Sequence, residues 1–286
     1  MLCFQFLVMT NPLDSNENFF VCNNSILKIS NFDYSLFDCL KVLYEVVKVV
    51  NNTPLFFKEH IERLRRSSIL AGFEPIAFQY ITQGVRMLLD ANPVVAKNIR
   101  ISLCYSNPSK PVFLCYYVES SYPTGEQYIK GVQVEILQEV RNNPNIKADN
   151  PSLRSAADAI IKSHHVYETI LVNPEGYVTE CSRSNFFAVS GNKLVTPPAE
   201  DVLEGITRMK VIELAKANQI SCIERKIFKE ELSRFDAAFI TGTSRGVLPL
   251  NAVGEYAFDA GNSIVQKIIE LYNAEVKLNL KNWGRF

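Results

Sequence analysis

Histidine is scarce in this chain of 286 residues. Only His60, His164 and His165 occur, which argues against a metal centre built on several imidazoles. The seven cysteines are odd in number, scattered, and contain no C-x-x-C pair, so they read as reduced thiols of a cytoplasmic protein and not as a disulfide framework or zinc site. Neither sign of charge is in excess, with 30 basic and 30 acidic side chains, and nothing overall points to nucleic acid or a membrane surface. No apolar run approaches the roughly 18 residues of a membrane span. The run 4-FQFLVM-9 is short and lacks a basic flank, so it does not read as a secretory signal. Repeats and low-complexity tracts are missing too.

What the chain does have is apolar surface. Hydrophobic residues make up 47%, enough for a large core and outside the disordered range. The segment 42-VLYEVVKVV-50 reads as a strand, followed by the turn NNTP. Then 58-KEHIERLRRSSILAGF-73 has helical apolar spacing and Gly72 as a stop, and a second helix is expected near 75–92. The segments 97–106 and 111–119 read as paired strands. The polar stretch 119-ESSYPTGEQ-127 is the candidate linker between two domains, 1–121 and 122–286.

Beyond it, 131-GVQVEILQEV-140 is a strand, and Asn150 with Pro151 predicts a helix start that runs to about His165. Strands are expected at 166–173, 176–180, 185–191 and 236–243, and helices near Thr207 and over 260–275. Hairpins outnumber regular strand–helix–strand units. The expected class is therefore α+β in two domains, with a cleft between them where a cofactor would sit.

Five places carry possible chemistry. Glu180 stands in 175-EGYVTECSRSNFFAV-189, between apolar residues and a cluster of hydroxyls, where a carboxylate needs a cationic or hydrogen-bonding partner. In 204-EGITRMKVIELA-215, a glycine precedes Ile206 and Thr207 at a helix start, which suits a phosphate but equally describes an ordinary cap. The turn 241-TGTSRG-246 offers Thr243, and the basic helix offers Arg63, Arg65 or Arg66, each of which also reads as a solvated surface residue. Lys147 lies in the irregular stretch 144-PNIKADNP-151, where a lysine can point into a cleft; Lys162 competes but belongs to a long helix and is expected to face solvent.

Taken together, the chain resembles the class IV, or fold-type IV, pyridoxal-phosphate aminotransferases, a family that includes branched-chain and D-amino-acid aminotransferases and aminodeoxychorismate lyases. The resemblance runs from about Val42 to about Pro249. It is carried, in family order, by 44-YEVVKV-49, 59-EHIERLRRS-67, Lys147, 178-VTECSRSNFF-187, 205-GITR-208 and 241-TGTS-244. It implies pyridoxal 5′-phosphate as cofactor. Lys147 corresponds to the lysine that the family joins to the cofactor, and Glu180 to the glutamate facing the pyridine nitrogen. Arg63, Ile206, Thr207 and Thr243 correspond to phosphate ligands, Asn185 to a residue beside the ring, and Tyr44 and Ser244 to substrate contacts.

The implied activity is transamination between a small amino acid, branched-chain-like, and a 2-oxo acid. An aminodeoxychorismate-type lyase and a non-catalytic binding protein of the same fold are the alternatives. The stretch 103-LCYSNPSKP-111 has neither the Arg nor the His with which D-amino-acid enzymes clamp a carboxylate. A homodimer is also implied, and the run Phe113, Leu114, Tyr116 and Tyr117 reads either as its interface or as an internal sheet core.

Overall fold

The structure is a computed structural model that describes residues 13–282; Cys3 and the 4–9 run lie outside the described residues. Two sheets organise it. The first has six strands in the order β2-β1-β6-β5-β3-β4. These are β1 (Phe19–Cys22), β2 (Ser25–Lys28), β3 (Lys41–Val50), β4 (Thr53–Pro54), β5 (Ala96–Tyr105) and β6 (Val112–Val118). Helices α1 (Phe57–Leu70) and α2 (Phe78–Ala91) pack on one face. The pairing β3–β5 is long and antiparallel, with Tyr44 opposite Ser102 and Val46 opposite Arg100.

The buried stripe of α1 runs Phe57, His60, Ile61, Arg63, Leu64, Ser67 and Ser68. That helical period places Arg63 inside and leaves Arg65 and Arg66 exposed. The aromatic run on β6 is covered within this chain: Phe113 and Leu114 pack on opposite faces of the sheet, as do Tyr117 and Tyr116. The interface reading of that run is therefore corrected to internal core. Its cause is that both faces of β6 are occupied, one by the helices and the other by the segment around Phe32 and Phe37.

The second sheet has ten strands. Helix α3 (Gly125–Lys130) precedes β7 (Val132–Gln138), and α4 (Pro151–His164) precedes β8 (Glu168–Val172), β9 (Tyr177–Cys181), β10 (Asn185–Ser190) and β11 (Lys193–Thr196). Helix α5 (Ile206–Ala217) then leads to β12 (Ser221–Glu224), β13 (Ile227–Phe228), β14 (Ala237–Gly242), β15 (Gly246–Val253) and β16 (Tyr256–Ala257), and α6 (Ser263–Asn282) closes the described chain. One core forms under α5 and α6, and another forms on the opposite side around Phe235 and Phe258.

The expected linker 119–127 holds a helix start: Thr124 and Gln127 make a reciprocal capping box for α3. The last helix extends to Asn282, past the expected 275, because its apolar stripe continues through Val276 and Leu280.

Bonds between the sheets close the space between them. Asn98 Nδ2 donates to Ser244 Oγ at 2.8 Å, Arg66 pairs with Glu204 at 2.7 Å, and Phe56 N–H donates to Asn279 Oδ1 at 2.9 Å.

Candidate active site

A cleft with about 840 Å³ of atom-free space, part of it open to solvent, lies where the two sheets meet. Tyr44, Arg63, Lys147, Glu180, Asn185, Ile206, Thr207, Thr243 and Ser244 all line it, so the structure brings the nine residues matched by the resemblance to one place, without Arg65 and Arg66. Lys162 is exposed and lies away from it.

Lys147 is positioned by its backbone. Its N–H donates to Ser67 Oγ of α1 at 3.2 Å, and its carbonyl accepts from Tyr44 N–H at 3.1 Å. The irregular stretch is thus tied to both β3 and α1, and Asn150 then caps α4 by accepting from Leu153 N–H at 3.2 Å. The Lys147 ammonium lies 4.8 Å from the Tyr44 ring centroid. Burial lowers its pKa, with Arg63 and Arg141 adding to the effect, while Tyr44 and Glu45 oppose it. Burial alone would raise the Tyr44 phenol, yet the cations Lys147, Arg100 and Arg154 bring it below its ordinary value. The Arg100 guanidinium stacks on Tyr44 at 4.1 Å and also holds Asp149, two residues past Lys147, at 2.5 Å.

Glu180 is buried at 3% exposure, and Arg141 Nε donates to its Oε1 at 2.7 Å. Burial pushes this carboxyl up, and Arg141 pulls against that shift. Arg141 also donates to the Ser182 carbonyl, while Ser182 Oγ donates to Glu168 at 2.5 Å. Arg245 completes this chain by pairing with Glu168 at 2.7 Å.

The opposite end is built to take an anion. Arg63 is fixed by Glu45, through Nε at 2.7 Å and Nη2 at 2.6 Å, and its Nη1 donates to the Glu204 carbonyl at 3.1 Å. His60 Nδ1 lies 2.7 Å from the same carboxylate. Although burial would raise Glu45, the Arg63 and His60 contacts hold it down at about 2. Burial lowers His60, so the imidazole is neutral and donates its Nδ1–H. Helix α5 starts after Gly205 with no side-chain cap, leaving its first N–H groups to the cleft. A Cβ on Gly205 would meet Asn185 Oδ1 at 2.1 Å, so the α5 start approaches Asn185 closely and a larger residue would displace that amide. Thr241 Oγ1 lines the cleft, buried and without a partner among the described residues.

Residues 42–253, well over half of the chain, match the family model for amino-transferase class IV. The chain belongs to the class IV aminotransferases. A "Probable branched-chain-amino-acid aminotransferase" of Thermotoga maritima is 30% identical over 264 residues, covering 88% of this chain and 93% of that protein. The crystal structure of the branched-chain aminotransferase from the thermophilic archaeon Thermoproteus uzoniensis with norvaline superposes at a TM-score of 0.80 with 25% identity, covering 93% of this aminotransferase and 96% of that chain. The branched-chain aminotransferase from Thermobaculum terrenum in its PLP-form shares the fold, at a TM-score of 0.81 and 21% identity, over 93% and 97% of the two chains.

Sequence reasoning missed several groups of this aminotransferase's cleft. Arg141, Arg154 and Arg245 carry no signal of their own, and of the buried acids Glu45 and Glu168 only Glu168 stands out by spacing, 21 residues from Lys147. A weaker signal covers both acids: each stands in a mainly apolar strand, Glu45 with only Lys48 for charged company in 42-VLYEVVKVV-50 and Glu168 as the sole charge in 166-VYETILVN-173. Such a charge requires a buried cation.

Proposed function

We propose that this class IV aminotransferase uses pyridoxal 5′-phosphate to move an amino group between a small amino acid and a 2-oxo acid, with branched-chain donors favoured. The observation that carries the reading is the placement of Lys147 and Glu180 in one cleft that also holds Arg63, the α5 start and the 241–244 turn. The donor set fits the cofactor. A fixed guanidinium, unused helix-start N–H groups, an unpartnered Thr241 hydroxyl and a glycine where a Cβ would push the Asn185 amide aside suit a phosphate at one end. A buried carboxylate at the other end suits a protonated ring nitrogen. When bound, pyridoxal phosphate supplies a carbonyl carbon open to amines and a ring that accepts the electron pair left on the substrate Cα.

The residues divide the work. Lys147 Nζ, with its depressed pKa, is the amine that holds the cofactor and then carries the proton to and from the substrate Cα. Glu180, oriented by Arg141, holds a proton on the ring nitrogen. Arg63, the N–H groups of Ile206 and Thr207, and Thr243 would hold the phosphate, Asn185 would flank the ring, and Tyr44 and Ser244 would position the substrate. The same reading divides the chain at 121/122, between the end of β6 at Val118 and the start of α3 at Gly125. It also includes a homodimer and a cytoplasmic location; the latter is in keeping with the six described cysteines, all free thiols.

Purified protein should absorb in the visible, and borohydride should fix the cofactor on the peptide carrying Lys147. A label on Lys162 overturns the lysine assignment. A panel of L- and D-amino acids then reports the donor, and release of pyruvate without a 2-oxo acid acceptor would mark a lyase.

A further inference from the structure

Six cationic side chains line the cleft: Arg63, Arg141, Lys147, Arg154, Arg183 and Arg245. Four of them already have a carboxylate, in the pairs Arg63–Glu45, Arg141–Glu180, Arg183–Asp158 and Arg245–Glu168. Lys147 is the amine assigned to the cofactor above. Arg154 is different. Its Nε and Nη1 are shut off from solvent, and no described residue accepts a hydrogen bond from either. A guanidinium does not shed its charge when buried, so unlike a lysine it cannot relieve its own isolation. Buried donors without partners are uncommon, and in a native protein they call for an acceptor.

The place of Arg154 says where the acceptor comes from. It sits one turn into α4, just past the Asn150 cap that follows Lys147. A small gap beside the main cleft is bounded by Arg154, Tyr44, Arg141 and Ser182. The acid one helical turn further on, Asp158, is paired with Arg183. Two further acids of this region are also taken, Glu180 by Arg141 and Asp149, which lies between the lining residues Ala148 and Asn150, by Arg100. An anion that meets Arg154 must therefore enter through the cleft.

We propose that Arg154 is a carboxylate-binding residue of this site, its guanidinium taking a carboxylate of the substrate beside Tyr44. The proposal rests on the transamination reading, in which every substrate carries at least one carboxylate. That carboxylate is either the one on the reacting carbon or a second one at the far end of a dicarboxylic substrate. An arginine whose buried Nε and Nη1 bond no acid among the described residues makes the entry of such an anion favourable without breaking an existing hydrogen-bonded pair.

The test compares native holoenzyme with Arg154→Gln and Arg154→Lys. Equilibrium binding of butyrate, with one carboxylate, and glutarate, with two, is measured by calorimetry alongside KM and kcat for mono- and dicarboxylic substrates. Arg154→Gln should weaken carboxylate binding about tenfold or more, in keeping with a lost charge-assisted contact, while kcat falls much less. Arg154→Lys should recover part of the affinity. Equal losses for butyrate and glutarate assign Arg154 to the carboxylate on the reacting carbon, whereas a loss confined to glutarate assigns it to the distal one. Dissociation constants for both anions within about twofold of native would overturn the proposal. So would a lowered melting temperature with unchanged binding, the pattern expected if Arg154 serves only as a helix partner for Asp158. Calorimetry on the protein without added cofactor still reports on Arg154. A protein that shows no cofactor absorbance but retains Arg154-dependent anion binding would therefore sink the transamination reading and leave this one standing.

Discussion

Glu180 and Arg141 illustrate how one residue sets the working state of another. Burial favours the neutral carboxylic acid, and the guanidinium favours the carboxylate. Only the carboxylate can hold a proton on a ring nitrogen. Glu180→Gln should keep the cofactor but slow proton transfer at the substrate Cα by on the order of a hundredfold, the usual scale of losing one preorganised charge at a reacting centre. An unchanged half-reaction rate in stopped-flow absorbance would show that Glu180 faces something else. Arg141→Gln gives a sharper prediction. Without the guanidinium, burial raises the Glu180 pKa further, so the acidic limb of the pH–rate profile should move to higher pH. Activity should then recover as pH rises and the carboxyl ionises, whereas Glu180→Gln should show no such recovery. A pH profile identical in Arg141→Gln and native protein would contradict the role given to this pair.

At the level of elements, β3 and α1 are latched by Glu45, which bonds both His60 and Arg63 in a space sealed from water. The folded-state pKa of Glu45 lies below its unfolded value of about 4.5, down at about 2. Its stabilisation is therefore fully present above about pH 4.5 and is lost as pH falls from there toward 2. Glu45→Gln should remove this part of the acid sensitivity. It should also cost about 3–5 kcal/mol near neutrality, because Arg63 remains buried without its acid. Melting temperatures across pH 2–7 check both halves, and equal acid slopes in the two proteins would refute the latch.

The start of α5 gives a second element-scale test. Gly205→Ala would press its Cβ onto the Asn185 amide, which now donates to the Leu203 carbonyl at 2.7 Å. The amide can swing into the cleft, so the fold should survive while cofactor affinity drops roughly tenfold through the loss of about one hydrogen bond's worth of positioning. Fluorescence titration with pyridoxal phosphate measures it, and native-like affinity would show that the seat tolerates a Cβ.

These elements also show what the chain reveals before it is folded. The helical period of α1 and the Asn150–Pro151 cap are local signals, and both were legible. Arg141 was not, because its role depends on Glu180 from a hairpin across the second sheet. Arg154 was hidden for the same reason: on a helical wheel it is one more surface arginine, and only the tertiary structure shuts its Nε and Nη1 off from solvent.

On the scale of the whole molecule, the cleft exists because two sheets with separate cores meet along β3, α1 and the Lys147 stretch. The resemblance implied a dimer, but the aromatic run on β6 does not support it, since Phe113, Leu114, Tyr116 and Tyr117 are all buried within one chain. Composition could not separate interface from core there, because both favour the same residues. Other surface is left uncovered. The last turn of α1 exposes Ile69 at 52% and Leu70 at 55%, and Leu40, just ahead of the strand bearing Tyr44, is 69% exposed. These exposed apolar side chains would be covered if a second copy packed against them. An obligate two-fold interface buries on the order of 2,000 Å² or more, enough to hold at nanomolar concentration only when well packed. Dilution should therefore lower specific activity as monomers appear, and added pyridoxal phosphate should slow that loss by binding the assembled state. Leu70→Glu should weaken the assembly without touching Lys147 or Glu180, so activity at high protein concentration should approach native while the midpoint of the dilution curve moves up. Sedimentation that finds a fully active monomer at nanomolar concentration would defeat the dimer, and the substrate side of the cleft near Tyr44 would then have to be closed by this chain alone.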